Sequence, residues 1–318
     1  MLRAFLILFN MYSATKKADD YEARYGLRGR LRILVSLPAQ TATTFVFTQL
    51  ILLVVGPIRK LLGKPTSPTA ERVAALWTGL LLENRLPAQF GSSAISLSTM
   101  DGFANARIDV WGSAPWHEAA EALDEKQLRA ALVHEIAHLR FAHLMIISFA
   151  TAAMAAGWPL VVRRLMGVDI SNPAGSKGHR HKLRPMARSR HSRRSDSFDT
   201  FFERYEHEKA LRAAASTPRA RAATTVAVVS AAAVVAALQR ACEFGADDYA
   251  ARVAGLENLV GAIAGIEAVE TKRNARPGRK AAFWRADART SRTILAFFAS
   301  APSPAARIAR LRRRAATN

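Results

Sequence analysis

The residues best placed to do chemistry in this chain sit within one short segment. In Ala130-Ala131-Leu132-Val133-His134-Glu135-Ile136-Ala137-His138, the residues His134, Glu135 and His138 form an H-E-x-x-H pattern. On a helix, i, i+4 spacing puts His134 and His138 on one face, one turn apart, where both imidazoles can reach the same Zn²⁺. Glu135 flanks that position, close enough to take a proton from a water activated there. Two histidines leave a catalytic zinc one protein ligand short, and downstream carboxylates are the candidates for the third. Glu243 and Asp247 are again i, i+4 apart, which suits a metal ligand plus a carboxylate that orients a histidine ring. Helix dipoles also gather acids near N-termini, so the pair has a structural explanation as well. Glu203, Glu206, His207 and Glu208 are rivals, but they lie beside a strongly basic segment. Cys242 adjoins Glu243, yet adjacent helical residues point about 100° apart, so it reads as a buried structural cysteine rather than a ligand. It is the single cysteine of the chain, which excludes a disulfide scaffold, an all-Cys zinc site and CxxC redox chemistry.

This chemistry needs a helix through the motif. Asp124 can cap its start, with Gln127 as the capping-box partner. Leu128, Ala131, Leu132, Ile136 and Leu139 then recur at helical spacing and would bury one stripe.

Around that helix the charge is uneven. Ile33 to Ile58, Phe141 to Val162 and Ala222 to Gln239 contain no Lys, Arg, Asp or Glu over 26, 22 and 18 residues. A bilayer core needs about 20 apolar residues in a helix, so the first two qualify and the third is borderline. Pro38 and its neighbouring threonines confine the spanning core of the first to Thr44–Ile58. Ala4 to Met11 is too short to span, and no small-residue cleavage site follows before Lys16, so an interfacial helix is expected there. Residues 163–221 carry fifteen Lys and Arg against six Asp and Glu, and residues 175–195 lack apolar periodicity and read as disordered.

The whole chain has 318 residues, half of them hydrophobic, and a formal charge of +21. That excess calls for an anionic partner. The basic insert offers no interleaved aromatics, so the expected partner is a lipid bilayer with anionic lipid, and no nucleic acid is expected. The organisation read from the sequence begins with a basic interfacial segment, 1–32, and a transmembrane helix, 33–58. A first catalytic half, 59–142, leads into a second span, 143–162, the basic insert, 163–221, and a possible third span, 222–239. A second catalytic half, 240–318, closes the chain.

H-E-x-x-H followed at long distance by E-x-x-x-D, with hydrophobic stretches between, resembles the HtpX-type membrane zinc metallopeptidases. That superfamily also includes the CAAX prenyl proteases and the mitochondrial inner-membrane quality-control protease. Three further segments are similar: Asp101–Val110, containing Phe103, Ala104 and Asn105; Arg240, three residues before Glu243; and the ending Ala301-Pro302 with Arg307, Ile308 and Leu311. The resemblance covers residues 70–142 and 240–312. It implies a mainly α fold with a small β component, a zincin-like metalloprotease domain split by a hydrophobic helical pair and the basic insert, with an N-terminal transmembrane helix. Phe103 to Val110 would supply a strand, either an edge that pairs with substrate or ordinary sheet.

The resemblance further implies one Zn²⁺ held by His134, His138 and Glu243, with Glu135 as the base and Asp247 beside a ligand. The activity implied is hydrolysis of peptide bonds in protein or peptide substrates, in membrane-protein quality control. One departure is Ala301, where the family pattern often has His; the alternative is a catalytically inactive zinc-binding membrane protein with a sensing or structural role. Three spans would leave the basic insert in the cytoplasm and the zinc site outside it, whereas the resemblance implies a cytoplasmic site. Arg outnumbers Lys 36 to 10, which points to a GC-rich bacterial genome. The expected location is integral to the bacterial inner membrane.

Overall fold

The helix that carries the motif is closed at its start by the predicted capping box. In the computed structural model, which describes residues 2–43, 68–86, 120–168, 217–275 and 302–317, these helices can be followed from end to end. They are α1 (Leu2–Leu31), α2 (Pro68–Glu83), α3 (Glu125–Arg140), α4 (His143–Leu165), α5 (Pro218–Ala254), α6 (Leu256–Ala275) and α7 (Pro304–Ala315). Asp124 accepts from the Gln127 N–H at 2.8 Å, and the Gln127 side chain accepts from the Asp124 N–H. Two donors that the first turn would leave unpaired are thereby satisfied.

The described chain divides into two compact units. In the first, α3 is buried on more than one side and packs on α2 and α6, while α7 packs on α6. Leu128, Leu132 and Ile136 of α3 meet Val73, Trp77, Leu80 and Leu81 of α2, and Leu259 and Ile263 of α6. The α2 residues recur at i, i+4, i+7 and i+8, the period of a single helical stripe. Leu139, expected in the α3 stripe, is only partly buried against this core.

Two glycines shape the approach of α6. Gly255 ends α5 at φ +92°, a conformation open to glycine at little cost, and lets α6 fold back. At Gly261 a Cβ would come within 2.7 Å of the Gln127 amide, so a glycine there admits the capping residue of α3.

The second unit gathers residues 8–37 with the later part of α4 and the first part of α5. Its polar centre is Arg30, fully buried and reached through a kink at Gly26 (φ +68°). Pro159 lies inside α4 and has no N–H to give the Ala155 carbonyl. Arg30 takes that role: its Nη2 donates to the Ala155 carbonyl at 3.0 Å and its Nε to the Ala156 carbonyl at 2.6 Å. The same guanidinium pairs with Glu22 at 2.7 Å and with Asp19, which also receives Arg163 at 2.7 Å.

Among the described residues α4 and α5 are long and apolar enough to cross a membrane. At 37 residues, α5 is about 55 Å long, well beyond the roughly 30 Å of a hydrocarbon core. The apolar stretch 222–239 and the acidic turn at Glu243–Asp248 are therefore parts of one continuous helix.

The expected small β component is corrected by this structure. Every regular element among the described residues is a helix, with hydrogen bonds running within it, and no strand occurs among them. The Phe103–Val110 segment that carried the strand expectation lies outside the described residues. So do the spanning core Thr44–Ile58, Ala301, and the acidic rivals Glu203, Glu206 and Glu208 with His207.

Candidate metal centre

Helical geometry delivers the first two donors. His134 and His138, one turn apart on α3, are buried, and their Nε2 atoms face each other at 3.2 Å. The third comes from α5. Glu243 lies with one carboxylate oxygen 3.4 Å from the His134 Nε2 and the other 3.6 Å from the His138 Nε2. The donor atoms of His134, His138 and Glu243 all fall within 4.8 Å of one another. A tetrahedral ion about 2.0–2.1 Å from each donor requires donors about 3.3 Å apart. The observed separations are close to that, and two imidazoles with one carboxylate are a donor set that zinc accepts. The residues present therefore fit a zinc ion.

The ring atoms facing away from this point are also engaged. His134 Nδ1 donates to Asp247 Oδ1 at 3.0 Å. Asp247 is fully buried and receives Arg307 Nε on its other oxygen at 2.8 Å, with a second, parallel bond from Arg307 Nη2. On the other ring, His138 Nδ1 faces His143 Nδ1 at 2.9 Å. One helical turn of α5 thus supplies two different groups: Glu243 points to the donors' shared focus and Asp247 to the back of a ring. Next to Asp247, Asp248 turns outward and takes a bidentate pair from Arg310 at 2.7 and 2.8 Å. These two arginines, three residues apart, fasten α7 to the acidic turn of α5.

The electrostatics follow from burial and from these partners. Without an ion, burial resists a charge on His134 and Arg307 adds to that resistance, but hydrogen bonds to Asp247 and Glu243 outweigh both and push its pKa up to about 9. Burial and the neighbouring His134 hold His138 down at about 3. Only His134 of the pair is thus cationic, between two carboxylates, while His138 stays a neutral imidazole. Burial opposes the charge of Glu243 too, yet the His134 hydrogen bond and His138 bring its pKa down to about 2. Asp247 is held well below the usual carboxylate range against its own desolvation, chiefly by Arg307. Burial and then Glu243 push the Cys242 thiol up, so the cysteine is a buried neutral neighbour of the site.

Of the residues singled out in the sequence, His134, His138, Glu243 and Asp247 come together. Glu135 lies half-buried on α3, its charge acting on Arg307. Two participants carried no such assignment. Arg307 stood only in a similar C-terminal segment, and its pairing with Asp247 joins elements 60 residues apart. His143 lies five residues beyond His138, outside the H-E-x-x-H pattern, and its only sequence signal is a further histidine where an apolar stretch begins.

Neither a curated protein nor a solved structure matches the chain. A sequence model for Peptidase family M48 does, over residues 74–315, a span that holds every residue of the centre just described, and the chain accordingly belongs to that metallopeptidase family.

Proposed function

We propose that this protein is a membrane-bound zinc metalloendopeptidase that hydrolyses peptide bonds of protein substrates. The observation that carries the reading is the convergence of His134, His138 and Glu243 at tetrahedral donor spacing, with Glu135 next in sequence to a ligand. In this reading His134, His138 and Glu243 hold the zinc, and Asp247 orients the His134 ring. When bound, zinc supplies the Lewis acid that makes a water nucleophilic near neutral pH and polarises the scissile carbonyl. Glu135 accepts the proton of the attacking water and passes it to the departing amine, so one carboxylate serves as base and then as acid.

The metallopeptidase domain is read as two halves, 59–142 and 240–318, interrupted by the segments 143–162 and 222–239. The hydropathy and length of α4 and α5 support a position integral to a membrane. In this reading the membrane is that of a bacterial cell, and the positive charge of 163–221 suits anionic lipid. Such a protein is suited to the turnover of damaged membrane proteins.

The test is degradation of casein by detergent-purified protein loaded with zinc, alongside the Glu135→Gln variant. Cleavage by the wild type alone, with zinc bound to both, is the expected result. Cleavage by Glu135→Gln would remove Glu135 from its role. Failure of both to cleave, with zinc bound, would favour a zinc-binding membrane protein without peptidase activity.

A further inference from the structure

His143 touches the metal centre without belonging to the donor set. For His138 to offer the lone pair of Nε2, its Nδ1 must carry the ring proton, since a neutral imidazole has one donor and one acceptor nitrogen. That proton then needs an acceptor. The group facing it is His143 Nδ1 at 2.9 Å, with the two rings edge to face and 4.8 Å between centroids. His143 is 7% exposed, so water does not readily take its place.

The backbone is bent to bring it there. Along an uninterrupted helix, a residue five positions after His138 would lie about 140° around the axis, away from its Nδ1. Instead α3 ends at Arg140, Ala142 takes φ +50°, and α4 begins at His143. The left-handed conformation is unfavourable for an alanine, and the structure retains it at the point that turns His143 back onto His138.

We propose that His143 is a positioning residue of the centre: its neutral ring accepts the Nδ1 proton of His138 and fixes the tautomer and orientation in which His138 can ligate. The inference rests on the zinc reading above. The two histidine ligands are then supported unequally. Asp247, a carboxylate neutralised by Arg307, backs His134; an uncharged imidazole backs His138.

Two substitutions separate this role from space filling. His143→Asn keeps an acceptor, because Oδ1 hangs from the same Cγ that carries Nδ1; His143→Leu fills the space with no acceptor. The readouts are zinc affinity, by competition with a chelator, and the visible ligand-field bands of the cobalt(II)-loaded protein, each beside thermal melting of the metal-free chain. His143→Leu should bind zinc about 10- to 100-fold more weakly, the usual loss when an outer partner of a ligand is removed. His143→Asn should recover most of the affinity and the wild-type cobalt spectrum.

Affinity of His143→Leu within a factor of about 3 of the wild type would overturn the proposal, and so would a folded His143→Asn as weak as the leucine variant. If the wild type itself binds no zinc, the reading beneath it fails instead, and the proposal with it. Should His143→Leu not fold, the comparison of His143→Asn with the wild type still decides, because the proposal requires near-equal affinity and an unchanged spectrum.

Discussion

The guanidinium of Arg307 grips both oxygens of the Asp247 carboxylate, and Asp247 in turn takes the Nδ1 proton of His134. The charge of Asp247 is thereby spent on a neighbour of fixed sign. It can orient the His134 ring without placing a free negative charge behind it.

Breaking the grip should cost both stability and metal. Arg307→Met leaves a fully buried carboxylate with only His134 to answer it, and a stranded buried charge typically costs about 3–5 kcal/mol. Asp247→Leu removes the acceptor on His134 and strands Arg307, so zinc affinity should fall about 10- to 100-fold. Denaturant melts and chelator competition on the two variants check these outcomes. A fully stable Arg307→Met variant would mean that Asp247 needs no counter-charge.

Zinc uptake should release a proton. In the metal-free chain His134 holds its proton up to about pH 9, and it must lose one to ligate. Apparent zinc affinity should therefore rise about tenfold per pH unit between pH 6.5 and 9 and level off above. The same raised pKa contributes stability to the metal-free fold that is complete below the ordinary value of 6.5 and lost as the pH rises through about 9. Zinc titrations by calorimetry in buffers of different protonation enthalpy would count the proton directly. A count of zero at pH 7.5 would place the neutral form on His134 and contradict the arrangement.

How much of this was legible in the sequence depends on how local each feature is. His134 and His138 are fixed by helical period alone, and Asp124 with Gln127 announces the start of their helix. Glu243 and Asp247 repeat that period on α5, although nothing in the sequence measures their distance from α3. Arg307 is legible only as part of a similar segment, because its partner is brought in by the packing of α7. His143 is hidden by the turn itself, since no signal in an alanine predicts the left-handed φ of Ala142, and a straight projection turns the ring away. The β expectation came from likeness at Phe103–Val110 rather than from helical or strand period in the described segments, whose regular elements are all helices. Pro159 is plain in the sequence, but its remedy, Arg30, lies 126 residues from the carbonyl of Ala156.

That remedy makes the sharpest stability prediction. Pro159 removes the N–H due to Ala155, and Arg30 supplies donors to the Ala155 and Ala156 carbonyls while pairing with Asp19 and Glu22. Arg30→Met should destabilise strongly, since it orphans a buried carbonyl and loosens two acids at once. Pro159→Ala restores an N–H for the Ala155 carbonyl. Part of the penalty should then vanish, and the two changes should couple by about 1 kcal/mol in a double-mutant cycle of unfolding in detergent. In the double variant Glu22 still lacks its bond from Arg30 and Asp19 keeps only Arg163, so recovery is partial. Additive effects would show that Arg30 acts only through Asp19 and Glu22, and that the carbonyl freed by Pro159 is satisfied some other way.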